Sequence, residues 1–553
     1  MAERSQQIDS EEDESKRIAV LRDCHCCKRC ILRFLGRRTI HIYASPSESC
    51  PSLWKLQEDV PSQMDMEKAS GDATGAAQDI NNHPEVSEDT AAIKQETAKA
   101  KEKAASEERN ATEDRQSDGG GREKICPACL GILQELCEQA FIEEMCSEVT
   151  DLGYDFNNYM LALTLPLQLE IRQHCLLTYL NEMCRSSLKS SDITPLKDVF
   201  KWLCGPMISQ QLRVPFHPKS PFEVGLIIEH KDTKAEVDLL MEEISNEEPS
   251  RKRQRYSKNQ ANKGKGEATR QIIGATLRGL SAEHLKRLLP HPPSVPESLP
   301  SHSIECLHQS VFLAGRYTKH SRNLSQTPWI LDGERKTKSS VQELVCDPIQ
   351  ECVRAADYRF SSSGREDVDV RTLGRGRPFL TEMLNPRKIV LSRDELKQLQ
   401  EEINQKTSDI GVMDLQLVGR DATQKLKEGE AEKRKSYMAL VKVDKSVQQQ
   451  DLDFLEDLKE LVLKQKTPIR VLHRRPLATR ERTIHSMSAE IIDEHHFKLF
   501  LCTQAGTYIK EFVHGDLGRT QPNVGTLLKT DADIMELDVT AVHVDWPKKI
   551  DDD

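Results

Sequence analysis

Residues 56–122 of this chain cannot build a hydrophobic core. The tract opens LQEDVPSQMDMEKASGDATGAAQDI, closes SDGGGR, and is rich in Glu, Asp, Lys, Ala, Ser and Gly, with few aromatic or β-branched residues in periodic order. Such a stretch buries too little apolar area to offset the entropy lost on ordering it, so an acidic, disordered insertion is expected there. The folded parts must be a short segment before it, residues 1–55, and a long remainder after it.

That remainder is itself divided. A second polar tract, about 231–270, contains Arg251-Lys252-Arg253-Gln254-Arg255, which reads as a nuclear-localisation patch, an RNA contact or a solvated linker. The Pro-rich run LLPHPPSVPESLPSHS at 288–303 is a linker by composition. With 553 residues, too many for one core, two or more domains are expected. No apolar run of about 18 residues occurs, so no membrane span is expected. The charged N-terminus lacks an apolar h-region, so no secretory signal is expected.

Local patterns indicate an α+β chain. SVFLAGRY (310–317), YMALVKV (437–443), IRVLHRR (469–475), FKLFLCTQ (497–504) and FEVGLIIEH (222–230) have strand character. Helices are expected around 130–147 and 275–289, and over 450–463 (QDLDFLEDLKELVL). Another opens at Ser392, with Glu395 three residues on as a capping box, and runs through Leu396, Leu399 and Ile403.

The 16 cysteines of a chain with no secretory signal are expected to be reduced thiols, with metal binding favoured over disulfides. Cys27-Lys28-Arg29-Cys30 and Cys126-Pro127-Ala128-Cys129 are two CxxC pairs, the spacing that lets two thiolates reach one tetrahedral ion. The gap between them is mostly the acidic insertion, whose closure entropy grows slowly with length. One structural zinc held by Cys27, Cys30, Cys126 and Cys129 is expected, stapling an N-terminal strand-turn to the helix at 130. Cys24 with Cys27 is the alternative first pair.

The densest chemistry lies in Ser361-Ser362-Ser363-Gly364-Arg365-Glu366-Asp367-Val368-Asp369-Val370-Arg371. Gly364-Arg365-Glu366-Asp367 resembles the G-R-T-D active-site loop of pseudouridine synthases. The longer strings GREDVDVRTLG, GTYIKEFVHGDLGRTQPNVGTL (506–527), AGRYTKHSRNLSQTPWILDGERK (314–336) and KTPIRVLHRRPLATR (466–480) are similar to the archaeal and eukaryotic tRNA pseudouridine synthase family numbered ten. The likeness covers essentially all of 305–547, and the CxxC pairs extend it into the N-terminal half.

The resemblance implies an isomerase that breaks the C1′–N1 bond of uridine, turns the base and rejoins it through C5. It implies a catalytic carboxylate at Asp367, with Asp369, two residues on, as the rival. An ionised carboxylate can attack the sugar, attack the base or remove a proton at C2′, and all three routes stay open. Burial beside a base raises a carboxyl pKa, so a fixed cation is expected nearby; the resemblance gives that role to Lys510. It gives Tyr437 stacking on the extruded uracil and a proton at C5, Ile509 the other face of the base, and Arg365 the phosphate or the gap left by the flipped nucleotide.

The implied fold is a C-terminal pseudouridine synthase domain, residues 305–553, with a mixed, largely antiparallel sheet and flanking helices. A zinc-stapled, THUMP-like α/β accessory domain, 123–290, precedes it, joined by a linker at 291–304. The implied targets are uridines 54 and 55 of the TΨC arm of tRNA. No catalytic cofactor, a monomer, and a nuclear and cytoplasmic location are expected. The alternative reading is an RNA-binding adaptor or tRNA chaperone acting on structured RNA such as microRNA precursors. The net charge of −11 points away from nucleic acid, but Gly315–Lys388 carries 14 Lys and Arg against 10 Asp and Glu. There Arg316, Lys319, Arg322, Arg335, Lys336 and Lys338 with Tyr317 and Trp329 form one candidate phosphate-tracking surface, and His473, Arg474 and Arg475, on a strand, a second.

Overall fold

The structure is a computed structural model describing residues 2–55, 124–246, 269–432, 434–473 and 475–550. The acidic tract 56–122, the basic run 251–255 and Arg474 lie outside the described residues. The chain divides into two compact units: Met1–Cys146, Leu163–Leu212 and Leu226–Ser303 form one, and Ser147–Ala162, Arg213–Gly225 and Ile304–Asp553 the other. Among the described residues no helix is long and apolar enough to cross a membrane.

The first unit is largely helical. Ile171 and Cys175 of helix Gln168–Cys184 pack with Val237, Leu240, Ile273, Leu277 and Leu285 into one buried cluster. The expected helix at 275–289 is two, Arg270–Gly279 and Ala282–Leu288, because Ser281 caps a new start by accepting from His284 N. The expected helix at 130–147 begins only at Gln139. Leu130 and Gly131 have φ of +56° and +82°, which no α-helix tolerates, so Ile132, Leu133 and Leu136 are buried from turns instead. The first CxxC likewise sits not on a strand-turn but at the start of helix Lys28–Phe34.

Strands β1 (Met160–Thr164), β2 (Phe222–Glu229) and β3 (Ser301–His308) form a three-stranded sheet in that order. The strand expected at 222–230 is thus present, while the last residues of the Pro-rich run are strand rather than linker.

The second unit is organised by a ten-stranded sheet. Its strands are β4 (Val311–Lys319), β7 (Asp357–Ser362), β8 (Arg371–Leu384), β9 (Ile410–Val418), β10 (Lys435–Val443), β11 (Leu461–Lys466), β12 (Thr479–Asp493), β13 (His496–Thr503), β14 (Thr520–Gln521) and β15 (Ala532–Val542). A separate two-stranded hairpin joins β5 (Ile330–Leu331) to β6 (Glu334–Arg335). The order is β14-β11-β12-β13-β10-β15-β8-β4-β9, with β7 on β8. Pairing is antiparallel except between β15 and β8, where Asp538 and Val539 run parallel to Arg371 and Thr372. The sheet is therefore mixed and largely antiparallel, as expected.

Two apolar clusters flank that parallel seam. On one side Ala439, Val441, Leu499, Leu501, Phe512 and Val539 pack together. On the other, Leu313, Tyr317, Phe379 and Met383 meet helices Val341–Val353 and Arg393–Lys406. The second helix starts at the expected capping box, in which Ser392 accepts from Glu395 N and Glu395 from Ser392 N, and it buries Leu396, Leu399 and Ile403. The helix expected over 450–463 is not formed. A single turn at Gln449–Leu452 and a 3₁₀ turn at Asp453–Asp457 lead into β11, because Leu463 and Gln465 alternate inward with period two. IRVLHRR is likewise no strand: Ile469–Val471 is a 3₁₀ turn, and His473 and Arg475 are exposed beyond it.

Candidate active site and cysteine cluster

The segment joining β7 to β8 turns at Gly364, whose φ of +86° is unstrained only in glycine. A Cβ there would stand 2.6 Å from Lys435 Nζ and 3.1 Å from Arg377 Nη1, so any side chain would displace the end of Lys435 in addition to straining the backbone. After this turn the loop's carbonyls are held in succession. Arg377 Nη1 donates to Ser363 O at 2.8 Å, and Gln326 Nε2 to Gly364 O at 3.1 Å. Lys319 Nζ donates to Asp367 O at 3.0 Å, Val368 O at 2.7 Å and Leu324 O at 2.6 Å. Arg322 Nη1 reaches Asp369 O at 3.0 Å. Glu366 points inward, accepting from Tyr317 OH at 2.8 and 3.0 Å and pairing with Arg377 Nε at 2.8 Å.

These contacts correct the first candidate RNA surface. Arg316, Tyr317 and Lys319 are 2%, 0% and 0% exposed, because β4 is a central strand covered on both faces. Arg316 donates to the carbonyls of Arg375, Gly376, Val542, Val544 and Trp546. Burial lowers the Lys319 ammonium to about 8. Both are internal ties between backbone segments. Arg335, Lys336, Lys338 and Trp329 remain exposed.

A cavity of about 580 Å³ opens on the outer side of the loop. Arg365, Asp367, Tyr437, Ile509 and Lys510 all line it, joined by Lys435, Arg470, Arg480 and Arg482; Asp369 is not among its lining residues. Tyr437 comes from β10, and Lys510 from the first turn of the short helix Ile509–His514. Asp367 Oδ2 accepts from Arg470 Nη1 at 2.7 Å and lies 3.7 Å from Lys510 Nζ. Lys510 itself donates to both oxygens of Asp369, at 2.6 and 2.9 Å. Arg470 is fixed from behind by Glu511, Nε to Oε1 at 2.7 Å.

Burial works to raise the Asp369 carboxyl, but the Lys510 ammonium outweighs it and holds it below the usual aspartate value. Burial also raises the Tyr437 phenol, with Arg377 opposing, so the hydroxyl keeps its proton at neutral pH. For Arg470 burial favours the neutral form, yet Glu511 and Asp367 together hold its charge more firmly than in water. The arrangement presents a carboxylate paired with arginine, a neutral phenol and an apolar side chain inside a cavity of excess positive charge, a setting for a flipped base with its phosphates.

Sequence reasoning missed Arg470, Lys319, Glu366 and Arg377. In the sequence Lys319 is indistinguishable from a surface cation, and nothing local marks Arg470 as the partner of a residue 103 positions away.

In the first unit the sulfurs of Cys27, Cys30, Cys126 and Cys129 lie within 4.8 Å of one another and all four residues are buried. Cys27 Sγ and Cys129 Sγ are 3.9 Å apart, close to the roughly 3.8 Å edge of a tetrahedron with 2.3 Å zinc–sulfur bonds. Cys24 and Cys26 are buried but stand outside this set of four. Arg33 Nη1, 3.6 Å from Cys30 Sγ, places a cation beside it.

A family model described as "Pus10, C-terminal" matches residues 312–543, and one described as "Eukaryotic Pus10, N-terminal" matches 126–306. The chain is 42% identical over 548 residues to the tRNA pseudouridine synthase Pus10 of Mus musculus, covering 98% of this chain and 99% of that one. Against the Homo sapiens protein of the same name it is 47% identical over 433 residues, 77% of this chain and 80% of that one. Against the Methanocaldococcus jannaschii one it is 35% identical over 246 residues, 42% and 53% of the two chains. Among solved structures, a Cbf5-Nop10-Gar1 complex is matched at a TM-score of 0.23 and 18% identity, over 41% of this chain and 48% of that one. With two family models matched in order and one relative aligned along almost its entire length, the chain belongs to the Pus10 family of tRNA pseudouridine synthases.

Proposed function

We propose that this enzyme isomerises uridines 54 and 55 in the TΨC arm of tRNA, with Asp367 as the reacting carboxylate. The observation that carries this reading is that Asp367 faces the cavity also lined by Tyr437, Ile509 and Lys510, while Asp369 does not line it. The uracil, turned out of the RNA, stacks on Tyr437 and packs against Ile509. Arg470 and Lys510 set two cations beside Asp367 where the base closes over it and excludes water. As the base rejoins through C5, that carbon loses a proton and N1 gains one; the Tyr437 phenol, neutral before and after, gives up its own proton to the base as it takes the one from C5. Arg365, exposed at the rim, holds a phosphate or occupies the space that the base vacates.

The four clustered thiols fit one structural zinc, which supplies no chemistry to the reaction and ties the Cys27 turn to the Cys126 turn. The helical unit around it acts as a THUMP-like module that grips structured RNA. The reading is tested by incubating unmodified tRNA with the protein and with Asp367→Ala, then mapping pseudouridine. The wild type is expected to modify positions 54 and 55 and the variant neither. Activity in the variant would discard Asp367 as the reacting group.

A further inference from the structure

Four successive residues, Gly515, Asp516, Leu517 and Gly518, have φ of +77°, +49°, +57° and +79°. They form a left-handed turn, a conformation in which Asp and especially Leu are strained while glycine is not. The turn is held from several sides. The Asp516 carboxylate, 9% exposed, accepts from Ile469 N at 3.3 Å and pairs with Arg519 Nε at 3.3 Å. Gly515 N donates to Glu511 O, Thr520 N to Gly515 O, and Arg519 Nη2 to Thr467 O.

What this anchoring presents is a leucine in water. Leu517 is 91% exposed, more than any other large hydrophobic residue described. One residue thus combines a fully exposed large apolar side chain with a backbone conformation that glycine would hold without strain. Strained residues of this kind cluster at sites that bind or react.

The position gives the partner. The turn follows directly from helix Ile509–His514, whose first two residues line the Asp367 cavity. Through Ile469 the turn is bonded to the segment whose next residue, Arg470, holds Asp367. We propose that Leu517 is an apolar wedge that lies against a base face of the bound RNA next to the extruded uridine. Leucine serves as such a wedge elsewhere, inserting at a base step and compensating for lost stacking. A flipped uridine leaves the stack open beside this site. The inference rests on the reading that RNA enters the Asp367 cavity.

The test uses the full chain with unmodified tRNA transcript and the variants Leu517→Gly, Leu517→Met and Asp367→Asn. Binding is followed by fluorescence anisotropy and pseudouridine formation by single-turnover kinetics. Leu517→Gly places the residue best suited to φ +57° in the turn, so its Tm is expected to equal or exceed the wild type, whereas Kd for tRNA rises at least fivefold. Leu517→Met, apolar and of similar reach, is expected within twofold of wild type in both measurements. If Leu517→Gly is within twofold of wild type in Kd and rate, the wedge is overturned, and a protein partner would then have to explain the exposure. Asp367→Asn keeps the two ideas apart. An inactive Asp367→Asn beside a normal Leu517→Gly refutes only the wedge, and an active Asp367→Asn refutes the cavity reading.

Discussion

Lys319→Met removes the side chain that ties down the Asp367 and Val368 carbonyls while keeping most of its volume. Two effects oppose each other. Hydrogen bonds from a charged donor contribute about 1.5–3 kcal/mol each, so the three bonds at 2.6, 2.7 and 3.0 Å together favour lysine by several kcal/mol. Against this stands the burial of the charge, which draws the ammonium from the ordinary 10.5 to about 8, a penalty of about 3 kcal/mol. The bonds win at neutral pH, and the variant is expected to unfold at a temperature several degrees lower. The pH dependence isolates the second effect. The folded value lies below the unfolded one, so the unfolded chain holds the proton more tightly. The wild type's stability relative to the variant is therefore greatest above pH 10.5 and falls by about 3 kcal/mol as pH drops to about 8. Activity runs the other way, because a neutral amine has two protons for three carbonyls and the loop loosens above pH 8. Urea unfolding of both proteins between pH 7.5 and 10.5, paired with single-turnover rates, reads both trends. Parallel stability curves, or a variant with the wild-type rate, would refute the clamp.

Arg470→Met should lower the single-turnover rate about 10–100-fold, the loss of one charge-assisted bond to the proposed reacting carboxylate, with tRNA affinity nearly unchanged. Glu366→Leu leaves the buried Arg377 guanidinium without its carboxylate and should destabilise the enzyme by about 3–5 kcal/mol in urea titrations; Arg377→Met added to it should recover part of the loss. Asp369→Asn should slow the reaction without abolishing it, since it releases Lys510 from its closest partner; a rate as low as that of Asp367→Asn in the same assay would overturn the assignment. Cys129→Ser should reduce zinc, measured by elemental analysis of freshly purified protein, to well below one per chain, with a lower unfolding temperature of the helical unit.

The elements legible in the sequence are those whose signal is local. Ser392 and Glu395 lie three residues apart and bond only to each other's backbone, so the capping box declares its helix. Strands β4, β10 and β13 carry enough Val, Leu and Phe to be recognised without knowing their neighbours. Where one pattern satisfies two periods, sequence misleads. Leu452, Leu455 and Leu463 suit a helix face, yet the first two are buried from short turns and the third from a strand. The site divides in the same way. Asp367, Tyr437, Ile509, Lys510 and Arg365 were found through strings of adjacent residues, and they meet at one cavity. Arg470 and Lys319 act on atoms 103 and 48 positions away, through contacts that only the completed sheet creates. Composition was least informative at Arg316 and Lys319, where positive charge meant buried bonds to carbonyls instead of contact with phosphate.

The relation between the two aspartates explains why a loop so dense in charge can be orderly. Glu366, Asp367 and Asp369 would repel one another if their counter-ions were mobile, and each instead has its own: Arg377 for the first, Arg470 for the second, Lys510 for the third. Only one of these pairs is wholly interior. Asp369, 62% exposed, binds Lys510 at both oxygens and so fixes that ammonium 3.7 Å from Asp367. On the proposed mechanism its service is to hold the lysine. Held by its neighbour, the lysine adds its charge 3.7 Å from Asp367 Oδ2 without competing for the bond that oxygen already accepts from Arg470. On the proposed mechanism the lysine that the resemblance sets beside Asp367 acts from 3.7 Å, held there by the second acid of the loop, which thereby has a reason to be present.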